Sequence, residues 1–327
     1  MMSEFTILGA GVCGLTVAAA LHRHGAKVQL VDPAGMPSKH ACSWWAGGML
    51  APECEGATAE PEVIRQGRLA ADWWAREGSE VQRKGTLVVA LGRDQSELRT
   101  FARRVPRAML LDKSDLSEKE PHLGDGFSKA LFVEEEAHLD PRATLQGLLD
   151  RLLKDGVTFS FDGSASNGQV IDCRGLAARD RLPDLRGVKG EMLVVRCQDV
   201  KLHRPVRLLH PRFPLYIVPR GDGVFMLGAT QIESGERSRA TLRSVSELIN
   251  AAYALHPAFG DAELLEIGVD ARPAFPDNQP RIRHMQDRVY VNGLFRHGFL
   301  LAPKMAEMTA DLLVGGRPPE VWYEDYR

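Results

Sequence analysis

Residues 5–32, FTILGAGVCGLTVAAALHRHGAKVQLVD, decide the fold. An apolar run, Phe5 to Leu8, meets Gly9-Ala10-Gly11-Val12-Cys13-Gly14, then a helix-like segment, then a second apolar run, Lys27 to Val31, closed by Asp32. This is the strand, glycine turn, helix, strand order of a dinucleotide-binding unit. Gly9 permits the tight turn, Gly11 lets the backbone approach a pyrophosphate, and Gly14 lets the helix pack close to the strand. The helix start, with Val12 and Cys13, supplies N–H donors for an anion. Asp32 stands where a carboxylate accepts from ribose hydroxyls. The motif alone leaves open which dinucleotide is bound, NAD or FAD.

Length and composition set the frame around this unit. At 327 residues the chain has room for two domains. A net charge of -2 argues against a nucleic-acid partner, which needs a basic surface. The longest apolar run, Ile7 to Leu21, is interrupted by three glycines and belongs to the nucleotide unit, so no membrane span is expected. Met1-Met2-Ser3-Glu4 leads directly into the first strand, which is read as the absence of a leader. The five cysteines, at 13, 42, 54, 173 and 197, form no CxxC and no metal-ligand spacing. They read as reduced thiols in the cytoplasm, with no metal expected.

Downstream of Asp32 the stretch Cys42-Ser43-Trp44-Trp45-Ala46-Gly47-Gly48-Met49-Leu50-Ala51-Pro52 sets small residues beside aromatics, as a backbone passing a flat ligand requires. Ser43, Trp44, Gly48, Met49 and Leu50 are its expected cofactor contacts. Spacing predicts one helix over 61–82, with Trp73 and Trp74 in the core. Strands are expected over 86–91 and 129–134, and the segment with Lys113, Asp115, Glu118, Lys119 and Glu120 reads as a solvated surface. Asp140-Pro141 opens a helix running to Lys154, and strands at 157–161 and 169–172 end in Cys173-Arg174-Gly175-Leu176, which returns to the opening βα style. From Val188 strands dominate, at 192–196, 215–219, 224–227 and 264–269, without βαβ alternation. A mixed or antiparallel sheet covering a ligand is therefore expected. A strand at 288–291 and a helix at 303–313 preceded by Gly298 close the chain back onto the nucleotide unit.

Four further stretches carry a resemblance: Tyr216-Ile217-Val218-Pro219-Arg220, Gly228-Ala229-Thr230, Asp270-Ala271-Arg272-Pro273-Ala274-Phe275-Pro276-Asp277, and Gly293-Leu294-Phe295-Arg296-His297-Gly298-Phe299-Leu300-Leu301-Ala302-Pro303. With GAGVCGL and SWWAGGMLAP, the chain resembles the D-amino-acid oxidase superfamily, and most closely the FAD-dependent glycine oxidases of thiamine biosynthesis. The resemblance implies an α/β fold: an FAD-binding Rossmann-like domain of segments 1–83, 139–186 and 269–327, and a second α+β substrate domain of segments 84–138 and 187–268 on a mixed or antiparallel sheet. It implies non-covalent FAD, because no cysteine follows Cys197.

By the same resemblance Arg272 pairs with a substrate carboxylate, Tyr216 lines the pocket and hydrogen-bonds that carboxylate, and Arg296 sits at the pocket edge near the flavin. Gly175, His297, Gly298, Phe299 and Leu300 join the expected cofactor contacts, with the last helix turning its positive end to the flavin pyrimidine. Two departures stand out. The family often has Gly-Leu before the Arg-Pro pair, where this chain has Asp270-Ala271, and a Gly after the Pro-x-Ile segment, where it has Arg281-Ile282-Arg283.

The implied reaction is oxidative deamination of glycine: hydride passes to flavin N5, water hydrolyses the imine to glyoxylate and ammonia, and O₂ is reduced to H₂O₂. In thiamine synthesis the imine itself would feed thiazole formation. The expected partners are thus a small amino acid and O₂, and the family's usual state is a homo-oligomer. Sarcosine, another N-substituted glycine or a D-amino acid remain alternative substrates. An NAD-dependent dehydrogenase and a non-catalytic FAD-binding or tRNA-modification partner domain are the other readings.

Overall fold

The computed structural model describes residues 3–123, 126–162, 168–210 and 214–327. The opening Met1-Met2, part of the leader reading, lies outside them. Two large sheets organise the chain. In the first, seven strands run in the order Tyr323–Tyr326, Arg281–Met285, Arg288–Asn292, Gln169–Asp172, Glu4–Leu8, Lys27–Val31, Thr158–Ser160. Its central pairings are parallel, and only the hairpin of Arg281–Met285 with Arg288–Asn292 is antiparallel. Helices Val12–Arg23 and Gly298–Leu313 pack on each other and on this sheet, and their buried faces form the largest core cluster.

The second sheet has nine strands and is mixed, as expected: Val206–Leu209 runs parallel to Thr86–Ala90, while the other described pairings are antiparallel. Its longest pairing joins Arg186–Arg196 to Glu263–Ala274, from Arg186 opposite Ala274 to Arg196 opposite Glu263. Both strands exceed the stretches expected at 192–196 and 264–269. The chain position between 268 and 269, expected as a segment boundary, falls inside one continuous strand. Pro273 is tolerated there because the strand pairs on one side only among the described residues, so the missing N–H costs no ladder bond.

Two other local readings need correction. The helix expected over 61–82 is two helices, Pro61–Gly67 and Ala70–Arg76. Gly67 has no side chain because a Cβ there would lie 2.8 Å from Cγ of Leu300. The chain then turns so that Ala70, Trp73 and Trp74 all enter the core. The 113–120 segment is not simply a solvated surface. Asp112 and Asp115 form a capping box on helix Lys113–Lys119, and Glu120 is fully buried, accepting from Arg204 Nε at 2.9 Å and from the His203 backbone N–H at 2.9 Å. A buried carboxylate needs such partners.

The last helix begins at Gly298, five residues before the expected start, and carries Pro303 inside it. A proline there removes the N–H that would bond the carbonyl four residues earlier. The Phe299 carbonyl is that orphan, and the indole Nε1–H of Trp74 donates to it at 2.8 Å. Trp74 is fully buried and its ring lies against Phe299, centroids 5.5 Å apart. Trp74→Phe keeps most of the packing but leaves the carbonyl unpaired, so urea denaturation of the FAD-loaded protein is expected to show a loss of about 1–3 kcal/mol. An unchanged midpoint would mean that water serves the carbonyl equally well.

A small ribbon pairs Met49–Leu50 with Ala137–His138. Beside it, Arg220 donates to the carbonyl oxygens of Leu139 at 2.7 Å, Ala46 at 3.1 Å and Gly47 at 2.9 Å, anchoring the early loop. Burial, and then the Arg220 charge, push His138 from its usual 6.5 to about 4. The folded state therefore keeps this imidazole neutral while the unfolded chain takes up a proton below about 6.5. Its share of stability is present above that pH and is lost as pH falls from about 6.5 toward about 4. In His138→Gln, the fall in melting temperature across this window is expected to be shallower than in the wild type.

Candidate active site

A cavity of about 2010 Å³ opens at the carboxyl ends of strands Glu4–Leu8, Lys27–Val31, Gln169–Asp172 and Arg288–Asn292 and continues across the larger sheet. That end of a parallel sheet is where ligands bind in open α/β folds. Ordinary small-molecule pockets hold roughly 300–1,000 Å³, so this one has room for a dinucleotide and a second, small ligand.

The glycine turn forms one end. Gly9 adopts φ +96, a region that favours glycine, and a Cβ on Gly14 would lie 1.9 Å from the Gly9 carbonyl oxygen. Helix Val12–Arg23 is thereby pressed against its own preceding strand. Gly11 meets only the Ser43 hydroxyl, at 3.5 Å from a built Cβ, which leaves its cavity side open. The helix has no acidic residue in its first turn, and the Val12 N–H is capped from outside by Ser43 Oγ at 3.2 Å. Asp32 accepts from the backbone N–H of Ala10 at 2.9 Å and of Ala34 at 3.0 Å, fixing its carboxylate at the cavity edge. The N-terminus of the last helix lies alongside, since a Cβ on Gly298 would be 3.4 Å from Val12 Cγ1. Two positive helix ends thus face one cavity.

The other end is a hollow in the larger sheet. Side chains alternate along a strand, so Gly268, Asp270 and Arg272 share a face with Gly190 and Met192 on the neighbouring strand. The two glycines are shelves. A Cβ on Gly190 would lie 2.4 Å from Arg272 Nη2, and one on Gly268 would lie 2.3 Å from Cε3 of Trp45. The guanidinium and the indole therefore lie flat across the strands. Arg272 donates to the Thr230 carbonyl oxygen at 3.1 Å, and among the described residues no carboxylate lies within ion-pair distance of it. Tyr216 packs with Trp45, Met192 and Met226, and a Cβ on Gly47 would be 3.0 Å from its ring.

A third group borders the cavity. Glu55 binds Arg207 at 2.7 Å, Arg296 at 2.7 Å and His297 Nε2 at 2.9 Å. Burial pushes its carboxyl upward, but Arg207, then Arg296 and His297, outweigh that and hold it well below the carboxylate range. Burial alone would lower Arg207, yet Glu55 and its neighbours raise it, so the pair stays ionised. Arg296 also reaches Thr58 Oγ1 at 2.5 Å, so the charge expected near the flavin is committed to the wall.

Of the residues expected at the site, Gly9, Gly11, Val12, Cys13, Asp32, Ser43, Gly48, Met49, Gly175, Tyr216, Arg272, Arg296, His297, Gly298, Phe299 and Leu300 line this one cavity. Gly14, Trp44 and Leu50 do not. Gly14 serves helix packing, Leu50 is buried in the core, and Trp44 stacks beneath Arg142 at 5.0 Å while its neighbour Trp45 takes the cavity. Gly48 lines it, but its φ of +71 and the Leu139 carbonyl 2.2 Å from a built Cβ explain the glycine without a ligand. Arg272 falls beyond the strand expected at 264–269, yet lies within the observed strand Glu263–Ala274. Sequence reasoning missed Glu55, Arg207 and Gly190. Gly190 sits in a stretch that offered a signal, an isolated glycine in a strand; the partners of Glu55 are too far along the chain to be paired by inspection.

Residues 4–312 match the family described as DAO, FAD dependent oxidoreductase. The chain belongs to this family. Its relatives include a protein of Rhizobium etli named as a candidate thiamine biosynthesis oxidoreductase, ThiO, 51% identical over 318 residues, covering 95% of this chain and 97% of the relative. The glycine oxidase of Bacillus licheniformis is 26% identical, covering 98% and 95%. Among solved structures, glycine oxidase from Bacillus cereus superposes with a TM-score of 0.80 at 22% identity, covering 96% of each chain, and iminodiacetate oxidase from Chelativorans sp. with 0.80 at 22%, covering 98% and 99%.

FAD is accordingly the cofactor, and the residues present fit it: the glycine turn and helix end suit a pyrophosphate, Asp32 a ribose, and the second helix end an electron-rich ring. The Cys42 thiol on the cavity wall is pushed up to about 12 by burial and by Asp270, against the pull of Arg272 and Arg237, which favours the neutral thiol there. Among the described residues, no His, Cys, Asp and Glu group could hold a metal, and no helix is long and apolar enough to cross a membrane.

Gly190→Ala tests the shelf. The guanidinium is a flexible end that can move, so the variant should fold and keep FAD, with a melting temperature close to wild type. Arg272 must swing away, and a rise in KM for a carboxylate substrate of about tenfold or more is expected from the lost charge pairing. Unchanged KM would mean that Arg272 finds an equivalent place.

Proposed function

We propose that this FAD-dependent oxidoreductase deaminates a small α-amino acid oxidatively, with glycine as the first candidate. The observation that carries the reading is Arg272: a half-buried guanidinium on the cavity wall with no carboxylate partner among the described residues. A guanidinium in this setting grips a carboxylate bidentately and fixes its α-carbon. The Tyr216 hydroxyl adds a donor. Trp45 and Met192 close the hollow with apolar surface, which favours a short substrate and excludes water from the α-carbon.

When bound, FAD supplies the two-electron acceptor for the Cα–H hydride. The chain's own contribution is position: Arg272 and Tyr216 hold the carboxylate while the neutral amine lends its lone pair to the forming C=N bond. No side-chain base is assigned, because the amine enters already neutral. Water then adds to the imine, giving glyoxylate and ammonia from glycine, and O₂ takes the two electrons and two protons as H₂O₂. The likeness to ThiO supports a further proposal, that the glycine imine serves the thiazole of thiamine. The division of labour is proposed as segments 1–83, 139–186 and 269–327 for FAD and 84–138 and 187–268 for substrate, with the strand Glu263–Ala274 reaching across.

A peroxide assay over glycine, sarcosine, D-alanine and D-proline tests this, with Arg272→Ala beside the wild type. Glycine should give the highest kcat/KM, and the variant should lose about 2–5 kcal/mol of transition-state binding, which is roughly 30- to 4,000-fold. Wild-type kinetics in Arg272→Ala would remove the carboxylate grip. A bound flavin that no small amino acid bleaches under anaerobic conditions would remove the deamination itself.

A further inference from the structure

Asp270 and Arg272 lie two positions apart on the strand Glu263–Ala274 and therefore on the same face. Their Cα atoms are about 7 Å apart at that spacing, well within the reach of an arginine side chain. Asp270 is 3% exposed, and a carboxylate so buried must be paired. Left without a partner, it would compete for Arg272, the cation two positions along the same face.

The pairing is made elsewhere. Arg237 donates from Nε to Asp270 Oδ1 at 2.5 Å and from Nη2 to Oδ2 at 3.1 Å, and the Ala271 N–H adds a bond to Oδ1 at 2.7 Å. Arg237 belongs to the segment between strand Ile232–Glu233 and helix Leu242–Leu255, and it also donates to the His40 carbonyl oxygen at 2.7 Å. The Thr230 carbonyl, a few residues upstream, holds Arg272 Nη1 at 3.1 Å. The stretch from Thr230 to Arg237 thus does two things: Arg237 occupies the carboxylate, and the Thr230 carbonyl holds the guanidinium apart on its Gly190 shelf. Asp270, Arg272 and Arg237 all line the same cavity.

We propose that Arg237 is a positioning residue that keeps Arg272 available to a substrate carboxylate, by engaging Asp270 so that Asp270 cannot capture Arg272. This rests on the reading of Arg272 as the carboxylate grip. The pair works as an internal competitor held in check: without Arg237, the Asp270 carboxylate and the incoming ligand contend for the same guanidinium. If Arg272 were then captured in about 90–99% of molecules, apparent ligand affinity would fall by about 10- to 100-fold.

The test uses FAD-loaded protein, acetate as an unreactive carboxylate titrated by flavin absorbance, and glycine turnover. Arg237→Gln should weaken acetate binding and raise the glycine KM by about 10- to 100-fold, with kcat changed less than about threefold. The double variant Arg237→Gln/Asp270→Asn should recover to within about threefold of wild type, because the competitor has gone. Arg237→Lys should stay near wild type. Asp270→Asn alone should bind acetate at least as tightly as wild type, which keeps the test decisive if Arg237→Gln folds poorly. The proposal is overturned if the double variant is as weak as Arg237→Gln, if Arg237→Gln binds acetate normally, or if Asp270→Asn alone weakens binding, since each is what a loop anchor without competition would give. Arg272→Ala separates the two claims: should it bind acetate as wild type does, the grip itself is wrong, whereas loss of binding there with no rescue in the double variant sinks only the role of Arg237.

Discussion

The contact between Gly14 and the Gly9 carbonyl is the constraint on which the cofactor end of the molecule depends. With 1.9 Å between that oxygen and any Cβ at position 14, no other residue lets the first helix lie so close to its strand. The approach aims the helix N-terminus past Gly11 into the cavity. It also lets the last helix pack on the first, so that Gly298 meets Val12 and a second N-terminus points the same way. Field and shape arise together, from one missing side chain. The orphan Phe299 carbonyl created by Pro303 is a cost of running that last helix without interruption, and the buried Trp74 offsets it.

The same device recurs at the substrate end. Gly190 and Gly268 remove two side chains from one face of the larger sheet, and the vacated space is filled by a guanidinium and an indole lying flat. A strand face with ordinary residues there would push both groups outward. Glycine weakens a strand interior, and the length of the pairing from Arg186 to Ala274 compensates by adding ladder bonds around the two gaps.

These two regions differ in how far the sequence discloses them. The glycine turn is local: strand, turn, helix and acid follow one another within residues 5–32, so spacing alone specifies the geometry. The mixed second sheet was legible as a run of strands without alternation, and Arg272 and Tyr216 stood out through the stretches around them. What stayed hidden is non-local. Trp45 rather than Trp44 lines the cavity because a short 3₁₀ turn, Cys42–Trp45, sets which indole lies over Gly268. Glu55 meets Arg207 and His297 across 152 and 242 residues of chain, and no pattern in either neighbourhood announces the meeting. Glu120 read as surface because a charge-rich segment resembles a solvated one until Arg204 is brought to it by the fold.

Charge accounting across the cavity separates the committed cations from the open ones among the described residues. Glu55 is held by Arg207, Arg296 and His297; Asp172 by Arg174; Asp270 by Arg237; Glu266 by Arg142 and Lys39. Each of these pairs satisfies a carboxylate that burial would otherwise make costly, and each withdraws a cation from ligand binding. Arg243 lies at the exposed rim, where water screens it. Arg272, resting on a glycine and bonded to a carbonyl oxygen, is the half-buried arginine of the wall that no described carboxylate has taken. On the proposed reading, an anion entering the cavity meets that guanidinium in an environment where water competes weakly. Trp45, Met192 and Met226 add apolar surface around it, so the orientation proposed for a carboxylate rests on Arg272 together with the Tyr216 hydroxyl.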